Sequence, residues 1–130
     1  MYRILLADDH SSIRTIVKSA LRSYQYELVE AESAEEAIAL LEDGEDVDMI
    51  VSDFHMNAMN GLDFLRYVRN SPEYGNLPFI MLSYEEDRRN MLEAYDADVD
   101  AWVQKPFQLN HFLKTLDRSI QKRSVMAGEF

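Results

Sequence analysis

Met49-Ile50-Val51-Ser52-Asp53 is an apolar run that stops abruptly at one carboxylate. A short apolar run between polar neighbours reads as a strand buried on both faces. A turn follows, and Gly61 opens an amphipathic stretch. Residues 3–7 repeat the pattern and end in Asp8-Asp9. Open α/β sheets carry their reactive groups at the carboxyl ends of the strands. Three carboxylates therefore gather at two strand ends. They repel one another unless a cation neutralises them, and hard oxygen ligands suit Mg²⁺.

The rest of the chain extends the alternation. Ile13, Ile16, Val17, Ala20, Leu21 and Tyr24 recur at helical spacing and predict one apolar stripe. Arg14, Lys18 and Arg22 lie four apart and read as a solvated basic face, with a docking patch as the sharper alternative. Tyr26–Ala31 predicts a second strand. Ser33 to Glu36 has the spacing of a capping box, with Ala37, Ile38 and Leu41 behind it and Gly44 ending the helix. Leu62, Phe64, Leu65 and Val68 mark a third helix, and residues 71–78, with two prolines and a glycine, a loop. Phe79–Ser83 predicts a fourth strand. Met91, Leu92 and Tyr95 mark a helix led by the charged run 85–89. Ala101–Gln104 predicts a fifth strand, and Phe112, Leu113, Leu116 and Ile120 a last helix. Residues 125–130 have no pattern and read as a disordered tail or an added remnant, leaving one domain over 1–124. Strands alternating with helices predict an α/β fold: a parallel sheet covered on both faces.

Composition removes several functions. The net charge is −11, from 24 acidic and 13 basic residues. Such a field repels phosphate backbones and anionic lipid, which argues against direct nucleic-acid or membrane binding. No apolar run approaches the ~20 residues of a membrane helix. The absence of cysteine excludes thiolate metal sites and cysteine nucleophiles and fits the cytoplasm.

In a parallel sheet, Asp8, Asp9, Asp53, Ser83 and Lys105 all come to one edge. That edge then holds an acid pair for a cation, a nucleophilic or ligating carboxylate, a hydroxyl and an ammonium. Phosphoryl chemistry uses this set: cations neutralise the oxygens, a hydroxyl donates to one, and a carboxylate attacks phosphorus. His10 and His55 flank the acids. Imidazole suits transition metals, but the plainer expectation is that His10 begins a loop and His55 faces solvent.

Taken together, Ile4-Leu5-Leu6-Ala7-Asp8-Asp9-His10, Asp53-x-x-Met56-x-x-Met59-Asn60-Gly61, Ser83 and Trp102-Val103-Gln104-Lys105-Pro106-Phe107 resemble the receiver domain of two-component response regulators, of the single-domain chemotaxis type. The resemblance spans about residues 3–122. It implies a flavodoxin-like (βα)5 three-layer sandwich with strand order 2-1-3-4-5. It also implies that Asp53 accepts a phosphoryl group from a phosphohistidine of a sensor histidine kinase or phosphotransfer protein. Asp9 and Asp53 would bind Mg²⁺ directly, Asp8 mostly through water, and His55 through its backbone carbonyl. Lys105 would pair with the acyl phosphate, and Ser83 would swing to hydrogen-bond it. Trp102 would change rotamer with Ser83 and reshape the surface of the fourth helix, fifth strand and last helix for a downstream protein target. His55 and Glu85 would influence how water reaches the acyl phosphate. Asn57 and Asp98-Val99 depart from the residues usual in the family, and Tyr84 is larger than usual after Ser83.

Two other functions compete. An aspartyl phosphatase of the haloacid dehalogenase type needs a second Asp two residues after the nucleophile, where this chain has His55. A receiver-like module that binds proteins without phosphorylation usually lacks part of the acid set, which here is complete.

Overall fold

A computed structural model describes residues 2–22, 24, 26–84 and 88–126, the last two by backbone alone. Five strands, β1 (Tyr2–Ala7), β2 (Tyr26–Ala31), β3 (Met49–Asp53), β4 (Phe79–Ser83) and β5 (Ala101–Gln104), alternate with five helices. The helices are α1 (Ser11–Arg22), α2 (Ala34–Glu42), α3 (Gly61–Arg69), α4 (Arg88–Asp96) and α5 (Leu109–Met126). All pairings are parallel, in the order β2-β1-β3-β4-β5. Among the described residues no helix is long and apolar enough to cross a membrane.

The pleat explains the three layers. Successive side chains of a strand face opposite ways, so the central strands feed two cores. Leu5, Ile50, Phe79 and Met81 pack with Ala37 and Leu41 of α2, Phe64 and Leu65 of α3, and Ala94 of α4. Ile4, Leu6, Val51, Ile80 and Leu82 pack on the other face with Val17 and Leu21 of α1 and Phe112 and Leu116 of α5. β3 and β4 are buried along their whole length, as an apolar run covered on both sides must be.

Helix starts follow local chemistry. Ser33 Oγ accepts from Glu36 N–H at 3.0 Å, and Asn60 Oδ1 accepts from Asp63 N–H at 2.9 Å, each capping a first turn. The capping box is only half made, because the Glu36 carboxylate accepts from Glu32 N–H and not from that of Ser33. Gly61 is required by close approach. A Cβ there would stand 2.5 Å from Met81 Sδ and 2.7 Å from the Asp53 carbonyl oxygen.

Several expectations are corrected. Ile16 is 64% exposed, so the stripe of α1 is narrower than its spacing predicts, and Tyr24 lies in a turn beyond the helix. The basic row is not a uniform solvated face, since Arg14 is buried. In α4 only Ala94 is fully buried, while Leu92 and Tyr95 are about half exposed. Residues 85–87 of the charged run, Glu85 among them, lie outside the described residues, as do 127–130. The backbone of α5 continues through Met126, into the stretch expected as tail. Asp98 takes φ 70°, a left-handed conformation that favours glycine but that Asp tolerates better than most side chains, so the unusual residue at this position is accommodated.

Candidate functional site

Register assembles the site. Ala7 lies opposite Ser52, Asp53 opposite Leu82, and Ser83 opposite Gln104. Asp8, Asp53, Ser83 and Lys105 therefore line the carboxyl edge of four adjacent strands. Main-chain bonds carry the ladder past the strand ends, from Phe54 N–H to the Leu82 carbonyl at 2.8 Å and from Lys105 N–H to the Ser83 carbonyl at 2.6 Å. The Lys105–Pro106 peptide bond is cis.

Asp8, Asp53, Ser83 and Lys105 are all buried, while Asp9 and His10 form the open side. Lys105 Nζ donates to Asp8 Oδ2 at 3.1 Å. The same ammonium stands 3.3 Å from Asp53 Oδ1 as an ion pair. That contact lacks hydrogen-bond geometry, so Asp53 Oδ1 is buried with no hydrogen-bond donor among the described residues. Burial pushes the Asp53 carboxyl above its ordinary value, the Lys105 charge opposes this, and the Asp8 and Asp9 charges add to it.

Some of the site was missed in the sequence. Arg14 Nη1 donates to the Asp8 main-chain carbonyl at 2.6 Å and pairs through Nε with Glu30 at 3.4 Å. It braces the backbone of the acid pair, a role hidden by its even spacing with Lys18 and Arg22. His10 does more than begin a loop: its Nδ1 lies 3.0 Å from Asp9 Oδ1 and 3.2 Å from Asp8 Oδ1. His55 is exposed, as expected. The Tyr84 ring lies over Lys105 Nζ, 4.6 Å from its centroid. Trp102 is partly buried with its ring 5.6 Å from that of Phe54, on the sheet face that carries α2, α3 and α4.

The donor set fits a hard divalent cation. Asp8, Asp9 and Asp53 each offer a carboxylate oxygen to one space, and Asp53 Oδ1 is buried without a hydrogen-bond donor among the described residues. Among the described residues a single ammonium, Lys105, stands among these three carboxylates. With a divalent cation held by the acids, the edge can neutralise an anion and present a carboxylate oxygen to it.

Comparisons with known proteins agree. The response regulator receiver domain family matches residues 4–117. The chemotaxis protein CheY-3 of Vibrio cholerae is 34% identical over 121 residues, which cover 92% of each chain. The chemotaxis protein CheY of Pseudomonas aeruginosa is 32% identical, over 92% of this chain and 97% of its own. The solved structure of Vibrio cholerae CheY4 superimposes with a TM-score of 0.85 at 34% identity, covering 92% of this chain and 98% of that one.

Proposed function

The chain belongs to the response regulator receiver family, and on that premise we infer that it is a signalling switch in which Asp53 accepts a phosphoryl group from a phosphohistidine of a sensor histidine kinase or phosphotransfer protein. The observation that carries this reading is Asp53 Oδ1: buried, without a hydrogen-bond donor among the described residues, and facing the Lys105 ammonium. A carboxylate oxygen left without a donor is a nucleophile held ready. It forms a bond to phosphorus as the phosphorus–nitrogen bond breaks, and the electron pair leaves with the donor imidazole.

Asp8, Asp9, Asp53 and the His55 main-chain carbonyl would hold Mg²⁺. When bound, Mg²⁺ supplies positive charge that neutralises the phosphoryl oxygens. Lys105 supplies a further cation, and Asp8 Oδ2 keeps its ammonium in place at 3.1 Å. Arg14 fixes the Asp8 main chain, so the acid pair keeps its position as charge is added. Ser83, buried beside Asp53 at the end of β4, donates its hydroxyl to the new phosphoryl group. Its movement, with that of Trp102 on β5, carries the change to the α4–β5–α5 surface, where a downstream protein partner reads it. Such a partner shifts the population by no more than its differential affinity for the two states.

Incubation with a small acyl phosphate and Mg²⁺, followed by intact mass measurement, tests the reading. One phosphoryl adduct is expected in the wild type and none in Asp53→Asn. Trp102, the single tryptophan, should change its emission on phosphorylation beyond any change from Mg²⁺ alone, and less so in Ser83→Ala. An intact mass that never changes would favour a receiver-like module that binds partners without phosphorylation.

A further inference from the structure

His10 stands inside the carboxylate cluster, and the phosphoryl chemistry above makes no use of its ring. Its main-chain N–H donates to Asp8 Oδ1 at 2.9 Å. The backbone thus ties the residue to the acid pair, and the ring nitrogen falls 3.0 Å from Asp9 Oδ1 and 3.2 Å from Asp8 Oδ1. One donor atom each from Asp8, Asp9, His10 and Asp53 lies within 4.8 Å of the others. Two donors bound to one transition ion at about 2.1 Å each stand about 3.0 Å apart at a right angle and about 3.4 Å apart at the tetrahedral angle of Zn²⁺. The two His10 separations, 3.0 and 3.2 Å, are hydrogen-bond distances and lie at the short side of that range, within a small adjustment of the ring. A second observation concerns the same cluster: Asp53 is 2% exposed, and its Oδ1, 3.3 Å from Lys105 Nζ, has no hydrogen-bond donor among the described residues.

We propose that His10 is a ligand of the divalent-cation site, so that this site pairs an imidazole nitrogen with carboxylate oxygens and prefers a first-row transition ion to Mg²⁺. The proposal rests on the reading of the acid cluster as a cation site. Hard Mg²⁺ takes oxygen donors and gains little from imidazole, whereas Zn²⁺ and Ni²⁺ bind imidazole well. The open side of the cluster allows this. The His10 side chain is 55% exposed and can adjust toward an ion without rebuilding the buried wall. Asp8 is held from the opposite side by Lys105. His111 provides an internal control, since it lies outside the cluster and is not among the ligands assigned to the site.

The test uses Zn²⁺ and Mg²⁺ as separate probes on the full chain. Calorimetric titration of wild type, His10→Ala and Asp53→Asn is paired with the side-chain nitrogen resonances of the three histidines. Zn²⁺ should bind the wild type more tightly than Mg²⁺. His10→Ala should lower Zn²⁺ affinity about tenfold or more while changing Mg²⁺ affinity much less. The His10 Nδ1 resonance should move on adding Zn²⁺ and stay in place with Mg²⁺, a readout on the wild type that needs no variant to fold. Equal losses for both ions in His10→Ala, an unmoved Nδ1 resonance, or Zn²⁺ binding that survives in Asp53→Asn would each overturn the proposal. If those results come with Mg²⁺ binding that depends on Asp53, the cation site stands without His10. If Mg²⁺ also ignores Asp53, the acid-pocket reading falls with it.

Discussion

The two edges of the sheet both bury carboxylates and treat them in opposite ways. Where the strands begin, the Asp100 side chain is fully enclosed. Its Oδ2 accepts from Phe79 N–H at 2.7 Å and Arg69 Nη2 at 2.9 Å, and its Oδ1 from Arg123 Nε at 2.7 Å. Asp98 Oδ2 adds a contact at 2.9 Å to Arg123 Nη2. Two carboxylates meet two guanidiniums. Where the strands end, three carboxylates, Asp8, Asp9 and Asp53, meet one ammonium, Lys105, among the described residues, and Asp53 Oδ1 goes without a hydrogen-bond donor there. Burying an ion is tolerable only when its partners replace the lost water. The first edge meets that condition within the chain and serves as scaffold. The second falls short by positive charge, and that deficit is what a bound cation would fill. A perturbed, under-partnered carboxylate marks a functional site better than burial alone does.

The largest test of this contrast removes the scaffold acid. Asp100→Ala leaves two nearly buried guanidiniums without their main partner and the Phe79 N–H without an acceptor. It should cost about 3–5 kcal/mol of unfolding free energy, measured by urea denaturation. Asp53 should still be phosphorylated under conditions where the variant remains folded. A loss within about 1 kcal/mol, in the range of an exposed pair, would mean that the two edges are alike.

Gly61→Ala asks whether the functional edge has a rigid backbone despite its unbalanced charge. The new methyl would press on the Asp53 carbonyl and on Met81 Sδ, and Gly61 N–H bonds to the Phe54 carbonyl at 2.8 Å. Crowding of this kind costs about 1–3 kcal/mol. The rate of adduct formation should fall even well below the melting temperature. A normal rate at reduced stability would show that the strand end yields without moving Asp53.

Asp53→Asn should act in the opposite direction from Asp100→Ala. The fold disfavours the ionised carboxyl, chiefly by burial and then by Asp8 and Asp9 against the opposing Lys105. Removing the charge in metal-free buffer should raise stability by about 1 kcal/mol, the lower end of the cost of a buried unsatisfied group. Adding Mg²⁺ should stabilise the wild type through binding linkage and leave the variant nearly unchanged. A destabilised Asp53→Asn in metal-free buffer would mean that Lys105 already balances the site.

The functional edge was more legible in the sequence than the scaffold edge, for a physical reason. Apolar runs that stop at Asp8, Asp53, Ser83 and before Lys105 fix strand ends, and parallel topology then brings those ends together. β2 through β5 have the bounds that their apolar patterns predict. Asp100, Arg69 and Arg123 sit in three different elements and share no local pattern, so only the folded chain unites them. The same limit hid Arg14, whose partners depend on how α1 meets the sheet. Periodicity also overstated burial in α1 and α4, because the spacing of Ile16, Leu92 and Tyr95 gives a helix face but not the extent of its cover.

The smallest expected effect probes the scaffold edge by pH. Tyr26, at the start of β2, donates its hydroxyl to Asp117 Oδ1 at 2.7 Å. Burial first, and then the Asp117 bond, push its phenol above the ordinary value. The folded state therefore keeps this proton at pH values where the unfolded chain, titrating near about pH 10, gives it up. The contribution is complete below that range and is lost as pH rises through it. Tyr67, whose hydroxyl bonds to Glu42 and faces Tyr74, is raised in the same direction. Tyr26→Phe should cost on the order of 1 kcal/mol or less at neutral pH, since Asp117 is exposed and regains water. It should also make the alkaline loss of stability shallower without abolishing it, because Tyr67 still titrates. Denaturation midpoints of wild type and variant compared from pH 8 to about 11 decide it. Parallel curves across that range would mean that the Tyr26 bond adds nothing at the strand-start edge, and the contrast between the two edges would rest on the Asp100 cluster alone.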